Sequence, residues 1–151
     1  LGDLSEYREL QLVIRLVSLR ATATGDDIGV RLNGDSGGTD YQTAYGTNIP
    51  SALSDTRYIF SSAYLGPAPT DAGGFVAFGL CLATIVLPSL AIRHPIKFSA
   101  AKLNTGGVYD AITTDGTAWH MSESVISSLS LISNTGSDFL AGSNWRIYGV
   151  R

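Results

Sequence analysis

The tightest constraint in this sequence is a two-residue alternation of apolar and polar side chains in short runs broken by turn-forming residues. Leu10 to Leu19 reads LQLVIRLVSL. In an extended chain Leu10, Leu12, Ile14 and Leu16 share one face, and Gln11 and Arg15, with Val13 and Val17, share the other. Leu and Arg also suit a helix, but the β-branched residues and the pattern downstream favour a strand. Ile28 to Asn33 reads as a second strand closed by Asn33-Gly34, a tight-turn dipeptide. Asp35 to Asp55 reads as a long polar loop carrying Tyr41 and Tyr45. Arg57 to Leu65 and Phe75 to Leu87 read as strands, separated by a Pro- and Gly-rich connection. Pro95 to Leu103 follows, then a turn at Asn104 to Gly107. Val108 to Thr113 and Thr117 to Ser122 flank Asp115-Gly116, a hairpin signal. Val125 to Ile132 and Ser143 to Val150 complete the series.

These elements make about eight strands at spacings of roughly 8–15 residues, with no convincing amphipathic helix. The expected fold is all-β, an antiparallel β-sandwich of jelly-roll-like form. The 151 residues suffice for one domain spanning 1–151. A chain of this size buries roughly 70% of its unfolded surface and needs no disulfide or metal to fold. Only 15% of the residues are charged, so neighbouring subunits are expected to cover part of the surface.

Charge and cysteine usage exclude several classes. The net charge is −3 and the ten Lys and Arg residues are scattered, which speaks against nucleic-acid binding. Cys81 stands alone in an apolar run, so it forms no intrachain disulfide and reads as an inert core thiol. No secretory signal is recognisable. Ala72 to Ile92 carries no Asp or Glu and no Lys or Arg and is long enough to span a bilayer, but Gly73, Gly74, Gly79 and Pro88 favour a buried strand ending at Pro88.

Gly34-Asp35-Ser36-Gly37-Gly38 spells GDSGG, the string around the nucleophile of trypsin-like proteases. That family places its His and Asp ahead of the Ser, whereas His94 and His120 both follow Ser36. The segment therefore reads as a turn in which Asp35 and Ser36 bond to local N–H groups. Asn33, Asp35 and Asp40, with Asp26 and Asp27, could offer oxygens to calcium, but Ala44 stands where a closing Glu would sit, and solvated turn carboxylates are the favoured reading. One cysteine and two separated histidines are too few for a zinc site. No catalytic residue, metal or cofactor is expected, and the chain is not expected to be an enzyme.

Taken together, several strings resemble a group of bacteriophage virion proteins. They are Leu4-Ser5-Glu6-Tyr7 leading into Leu10-Gln11-Leu12, and Val30-Arg31-Leu32-Asn33-Gly34-Asp35-Ser36-Gly37-Gly38 with Tyr41. They continue with Ile85 to Pro88, His94-Pro95-Ile96-Lys97, and Trp119 before Val125-Ile126-Ser127-Ser128-Leu129. Phe139-Leu140-Ala141-Gly142-Ser143 and Ile147-Tyr148-Gly149-Val150 close the chain. The likeness covers nearly the whole sequence, though Leu90-Ala91-Ile92 stands where acidic or aromatic residues are common in the group. The resemblance implies a jelly-roll-like structural protein of a virion, of the tail-fibre, head-fibre or capsid-decoration type, in a homotrimeric or other symmetric assembly. The expected partners are copies of itself and other virion proteins. Trp145, Ile147 and Tyr148, on a final strand apolar on both faces, are the expected oligomer contacts. A second expectation is a receptor- or carbohydrate-binding module for a host surface glycan. Tyr41 and Tyr45 would stack on the sugar, and Asp35 and Asp40 would accept its hydroxyls.

Overall fold

The computed structural model describes residues 4, 6–19, 26–49, 52–68, 79–103 and 111–151. Ten strands are present among them: β1 (Glu9–Leu16), β2 (Asp26–Leu32), β3 (Tyr41–Ile49), β4 (Ala52–Phe60), β5 (Ala63–Ala68), β6 (Gly79–Val86), β7 (Pro95–Leu103), β8 (Ala111–His120), β9 (Leu129–Ser133) and β10 (Asn144–Val150). The described residues contain no helix, and therefore none long and apolar enough to cross a membrane. The chain is an all-β, antiparallel sandwich. Its large sheet has the order β10-β1-β6-β7-β8-β3-β4, and its small sheet the order β5-β2-β9.

Three of the pairings are nested. β1 pairs with β10, β2 with β9 and β3 with β8, in the large, small and large sheet in turn. This reversal of chain order is the feature shared with a jelly roll. The difference is that β6 and β7 sit inside the large sheet, between β1 and β8, so among the described residues the sheets hold seven and three strands instead of four each.

The core follows the alternation. Leu10, Leu12, Ile14 and Leu16 of β1 are buried, as are Cys81, Ala83 and Ile85 of β6 and Ile96, Phe98 and Ala100 of β7. The small sheet meets them with Ile28, Val30 and Leu32 of β2 and with Ala63, Tyr64 and Leu65 of β5. Burying each of these larger apolar side chains contributes roughly 1.5–3 kcal/mol.

Several sequence expectations need correction. Asp35 to Asp55 is not one loop, because most of it lies in β3 and β4, which pair residue for residue from Tyr41↔Phe60 to Ile49↔Ala52. Arg57 to Leu65 is not one strand. The chain bends at Ser61 and Ser62 and crosses from the large sheet (β4) to the small one (β5). Asp115-Gly116 makes no hairpin, since both residues lie inside β8. Gly116 serves close approach instead: a Cβ there would meet Phe98 Cζ at 2.5 Å and the Ala44 carbonyl oxygen at 2.6 Å. The Phe98 ring fills that space and meets Tyr64 edge-on, with centroids 5.9 Å apart. Val125 to Ser128 is irregular, and the late strand starts only at Leu129. The expected turn at Asn104 to Gly107, and parts of the segments 66–74, 75–87 and 108–113, lie outside the described residues.

One buried carboxylate at the start of β2 ties the residues after β1 to β9 and the turn that follows it. Asp26, 2% exposed, accepts hydrogen bonds at Oδ2 from the hydroxyls of Ser18 (2.6 Å), Ser133 (2.6 Å) and Thr135 (3.0 Å). Its Oδ1 accepts the Asp27 N–H at 2.8 Å. Burial pushes this carboxyl upward, but the bonds from Ser133, Ser18, Asp27 and Thr135 outweigh it and hold the group below its ordinary value of 3.8. A depressed folded value means that the stabilisation is fully present above the ordinary carboxylate range. It is lost as pH falls through the folded value. Asp26→Asn is therefore expected to lower stability at neutral pH by about 1–3 kcal/mol and to flatten the acid limb of the stability curve. Urea unfolding of both proteins between neutral and acid pH checks this, and an unchanged acid limb in the variant would contradict it.

Candidate functional site

The residues that most suggested chemistry meet where β2 leaves the small sheet and β8 ends. Asn33 and Gly34 both take positive φ, 56° and 77°, and the Asp35 N–H donates to the Leu32 carbonyl at 3.0 Å. The turn makes no hairpin, because it carries the chain from the small sheet to the large one. Asn33 is the hub of the connection. Its amide nitrogen donates to Ser124 Oγ (3.0 Å) and to the Val125 carbonyl (2.9 Å), while its oxygen accepts from the Ser127 N–H (2.7 Å) and hydroxyl (3.0 Å). This clamp holds the irregular 124–128 segment against the sandwich.

Behind the turn lies a buried ring stack. Tyr41 and His120 stack with centroids 5.1 Å apart, and His120 faces His94 at 6.3 Å. All three side chains are 0% exposed. His120 Nε2 bonds to Asp35 Oδ2 at 2.7 Å, while its Nδ1 is enclosed without a partner. His94 places Nδ1 3.2 Å from the Val86 carbonyl and Nε2 2.8 Å from the Ser124 carbonyl. A neutral imidazole has one N–H and serves one such acceptor. Leu32 N–H donates to the Tyr41 hydroxyl at 2.7 Å, and burial pushes the phenol up to about 12.

This geometry supplies no nucleophile and no sugar platform at the expected place. Ser36 is exposed, whereas the His120 ring is buried with Nε2 committed to Asp35. Tyr41 is inside the core and presents no face to a ligand. Tyr45 is partly buried against Tyr64, with centroids 4.4 Å apart. The Asp40 carboxylate accepts the Gly37 N–H and closes its own loop. The four expected ligand residues are thus brought near one another, but three of them are wired into the fold. Among the described residues no group of three or more His, Cys, Asp or Glu side chains could hold a metal ion.

The expected contact residues lie on β10, the outer strand of the large sheet. They divide between its faces. Trp145 stands opposite Ile14 and Ile147 opposite Leu12, on the core side, and Tyr148 stands opposite Gln11 on the outer side. Trp145 and Tyr148 remain 39% and 47% exposed. Beside Trp145 runs a groove of about 450 Å³ lined by Leu16, Leu129, Leu131, Phe139 and Asn144. A second groove, of about 500 Å³, adjoins it at Leu131 and Phe139 and is lined further by Arg31, Ile132, Asn134, Ser137 and Asp138.

Sequence reasoning missed the most exposed apolar pair. Leu80 and Leu82, on the outer face of β6, are 48% and 50% exposed. The signal was present: Leu80 and Leu82 alternate with Cys81 and Ala83, so the strand is apolar on both faces, yet only one of them meets the small sheet.

Fold and site together define an antiparallel sandwich whose buried titratable groups hold its segments in place. No protein-family model, curated protein or solved structure matches the chain.

Two predictions follow from this wiring. Tyr41→Phe leaves a buried N–H without its acceptor and is expected to cost about 1–3 kcal/mol, measured by denaturant unfolding. Burial pushes the Cys81 thiol up to about 12, and its Sγ lies 3.2 Å from the Leu65 carbonyl. Ellman's reagent is therefore expected to leave the native thiol untouched and to titrate it only after denaturation.

Proposed function

We propose that this chain is a non-enzymatic structural module of a bacteriophage particle, a capsid-decoration, head-fibre or tail-fibre component that assembles symmetrically with copies of itself and with other virion proteins. The observation that carries the reading is the outer face of the large sheet. At its middle, Leu82 stands opposite Val13 and Leu80 opposite Ala101. The same face bears Arg15 beside Leu80, Arg146 beside Val13, Lys97 beside Thr84 and Asp115 beside Ser99. An apolar centre with a charged rim is the anatomy of a protein interface.

The internal chemistry supports the same reading. Asp26, Tyr41, His120 and Cys81 each bond to other parts of the fold and offer no reactive centre to solvent. The virion part is supported by the order of the sequence strings that resemble phage virion proteins.

Leu80→Lys and Leu82→Lys replace half-exposed side chains and are expected to leave folding stability within about 0.5 kcal/mol. Sedimentation velocity is expected to show a wild-type oligomer that these changes weaken. A wild-type monomer throughout the micromolar range would remove the assembly reading. Antibodies against the chain are expected to label particles of the phage that encodes it, and unlabelled particles would remove the virion part alone.

A further inference from the structure

The two grooves beside β9 share Leu131 and Phe139 and so run together as one cleft. Each, at about 450 and 500 Å³, has the size of a ligand pocket. The ends of the cleft differ in chemistry. Trp145 and Phe139 supply aromatic surface at one, with Asn144 beside them. Arg31, Asn134 and Asp138 supply polar groups at the other.

These polar side chains are held in place by the fold without being used up by it. Arg31 Nε donates to the Ser61 carbonyl at 3.1 Å, and its two terminal nitrogens bond to no described residue. Asn134 Oδ1 accepts the Ser62 hydroxyl at 3.2 Å, and its amide nitrogen bonds to no described residue. Asn144 Nδ2 donates to the Gly142 carbonyl at 3.2 Å, which leaves its oxygen as an acceptor. The Asp138 carboxylate bonds to no described residue, but the main chain on both sides of it is pinned. Leu19 N–H donates to the Asp138 carbonyl and Leu140 N–H to the Val17 carbonyl, both at 2.8 Å. The preceding turn is fixed by Ser133 Oγ, which accepts the Thr135 and Ser137 N–H groups. Groups set in advance lose little freedom when a ligand arrives.

The same set narrows the chemistry of that ligand. One guanidinium balances one carboxylate, so the cleft offers no cluster of cations to a polyanion. An extended peptide would dock by pairing with the β9 edge, but Ser133 O already accepts the Gly136 N–H, and residues 136–139 line that edge. A wholly apolar ligand would leave Arg31 and Asp138 desolvated and unpaired. A sugar matches both ends. Its ring C–H face lies flat on an aromatic side chain, and its neighbouring hydroxyls both donate to a carboxylate and accept from amide and guanidinium N–H groups.

We infer that this cleft binds an uncharged oligosaccharide, with one ring against Trp145 and the hydroxyls of another held by Asp138, Arg31 and Asn134. This is a binding function in addition to the structural one. It uses none of the Tyr41 stack and does not depend on the outer sheet face.

The full chain applied to an array of neutral and acidic bacterial oligosaccharides, followed by calorimetric titration with the sugars it retains, tests the inference. Neutral sugars are expected to be retained. Asp138→Asn is expected to weaken them about tenfold or more, the loss of a charge-assisted hydrogen bond. Its urea midpoint is expected to stay at the wild-type value, because the carboxylate bonds to no described part of the fold. Trp145→Ala is expected to abolish retention, and if that variant fails to fold, Asp138→Asn decides alone. An array on which no neutral sugar is retained overturns the inference, and so does retention of acidic sugars only. Neutral sugars that bind Asp138→Asn with wild-type affinity overturn it as well.

Discussion

The constraint on which the rest of this structure depends is the unequal width of its two sheets. Among the described residues three strands face seven and cannot cover them, so alternation alone does not decide which apolar faces are dry. Where β5 lies over β6, β7 and β8, the core-side residues are sealed, as Cys81, Ile96 and Ala118 show. At the β10 side the same face runs beyond its cover, and Trp145 stays partly in solvent although its neighbour across the ladder, Ile14, is fully buried. The open flank and the exposed outer face both trace to this mismatch.

Much of the fold was legible because it depends on local alternation. β7 could be read to the residue, and β1 was recognised from the period-two set Leu10, Leu12, Ile14 and Leu16 although it ends at Leu16 and not at Leu19. β3 was not legible. Its inward positions include Tyr41, Thr43 and Tyr45, separated by Gln42 and Ala44, and such a mixture has the composition of a loop. What makes it a strand is pairing with β4 and β8, a long-range fact. Asp115-Gly116 misled for a related reason. Glycine signals a turn by its backbone freedom, but here it is required by the ring of Phe98, which is remote in sequence.

The candidate site was legible in part. Asn33-Gly34 did mark a turn, and Asp35 did find a partner, but that partner is His120, and sequence distance hid it. Tyr41 looked like a surface aromatic because polar residues surround it, whereas the fold turns it inward against the imidazole of His120. Two-faced strands were a readable clue that was applied to β10 and overlooked in β6.

The nested pairings carry a consequence for how the molecule comes into being. β1 takes β10 as one neighbour, so β1 leaves the ribosome well before the partner it awaits. β6 can engage it earlier, and β2 must likewise await β9. Contacts that join distant parts of a chain close slowly, on the scale of milliseconds to seconds for sandwiches of this type. During synthesis the half-made protein therefore carries open ladders and wet apolar faces. Newly made chains are most prone to mispairing in the interval before residues 144–150 emerge.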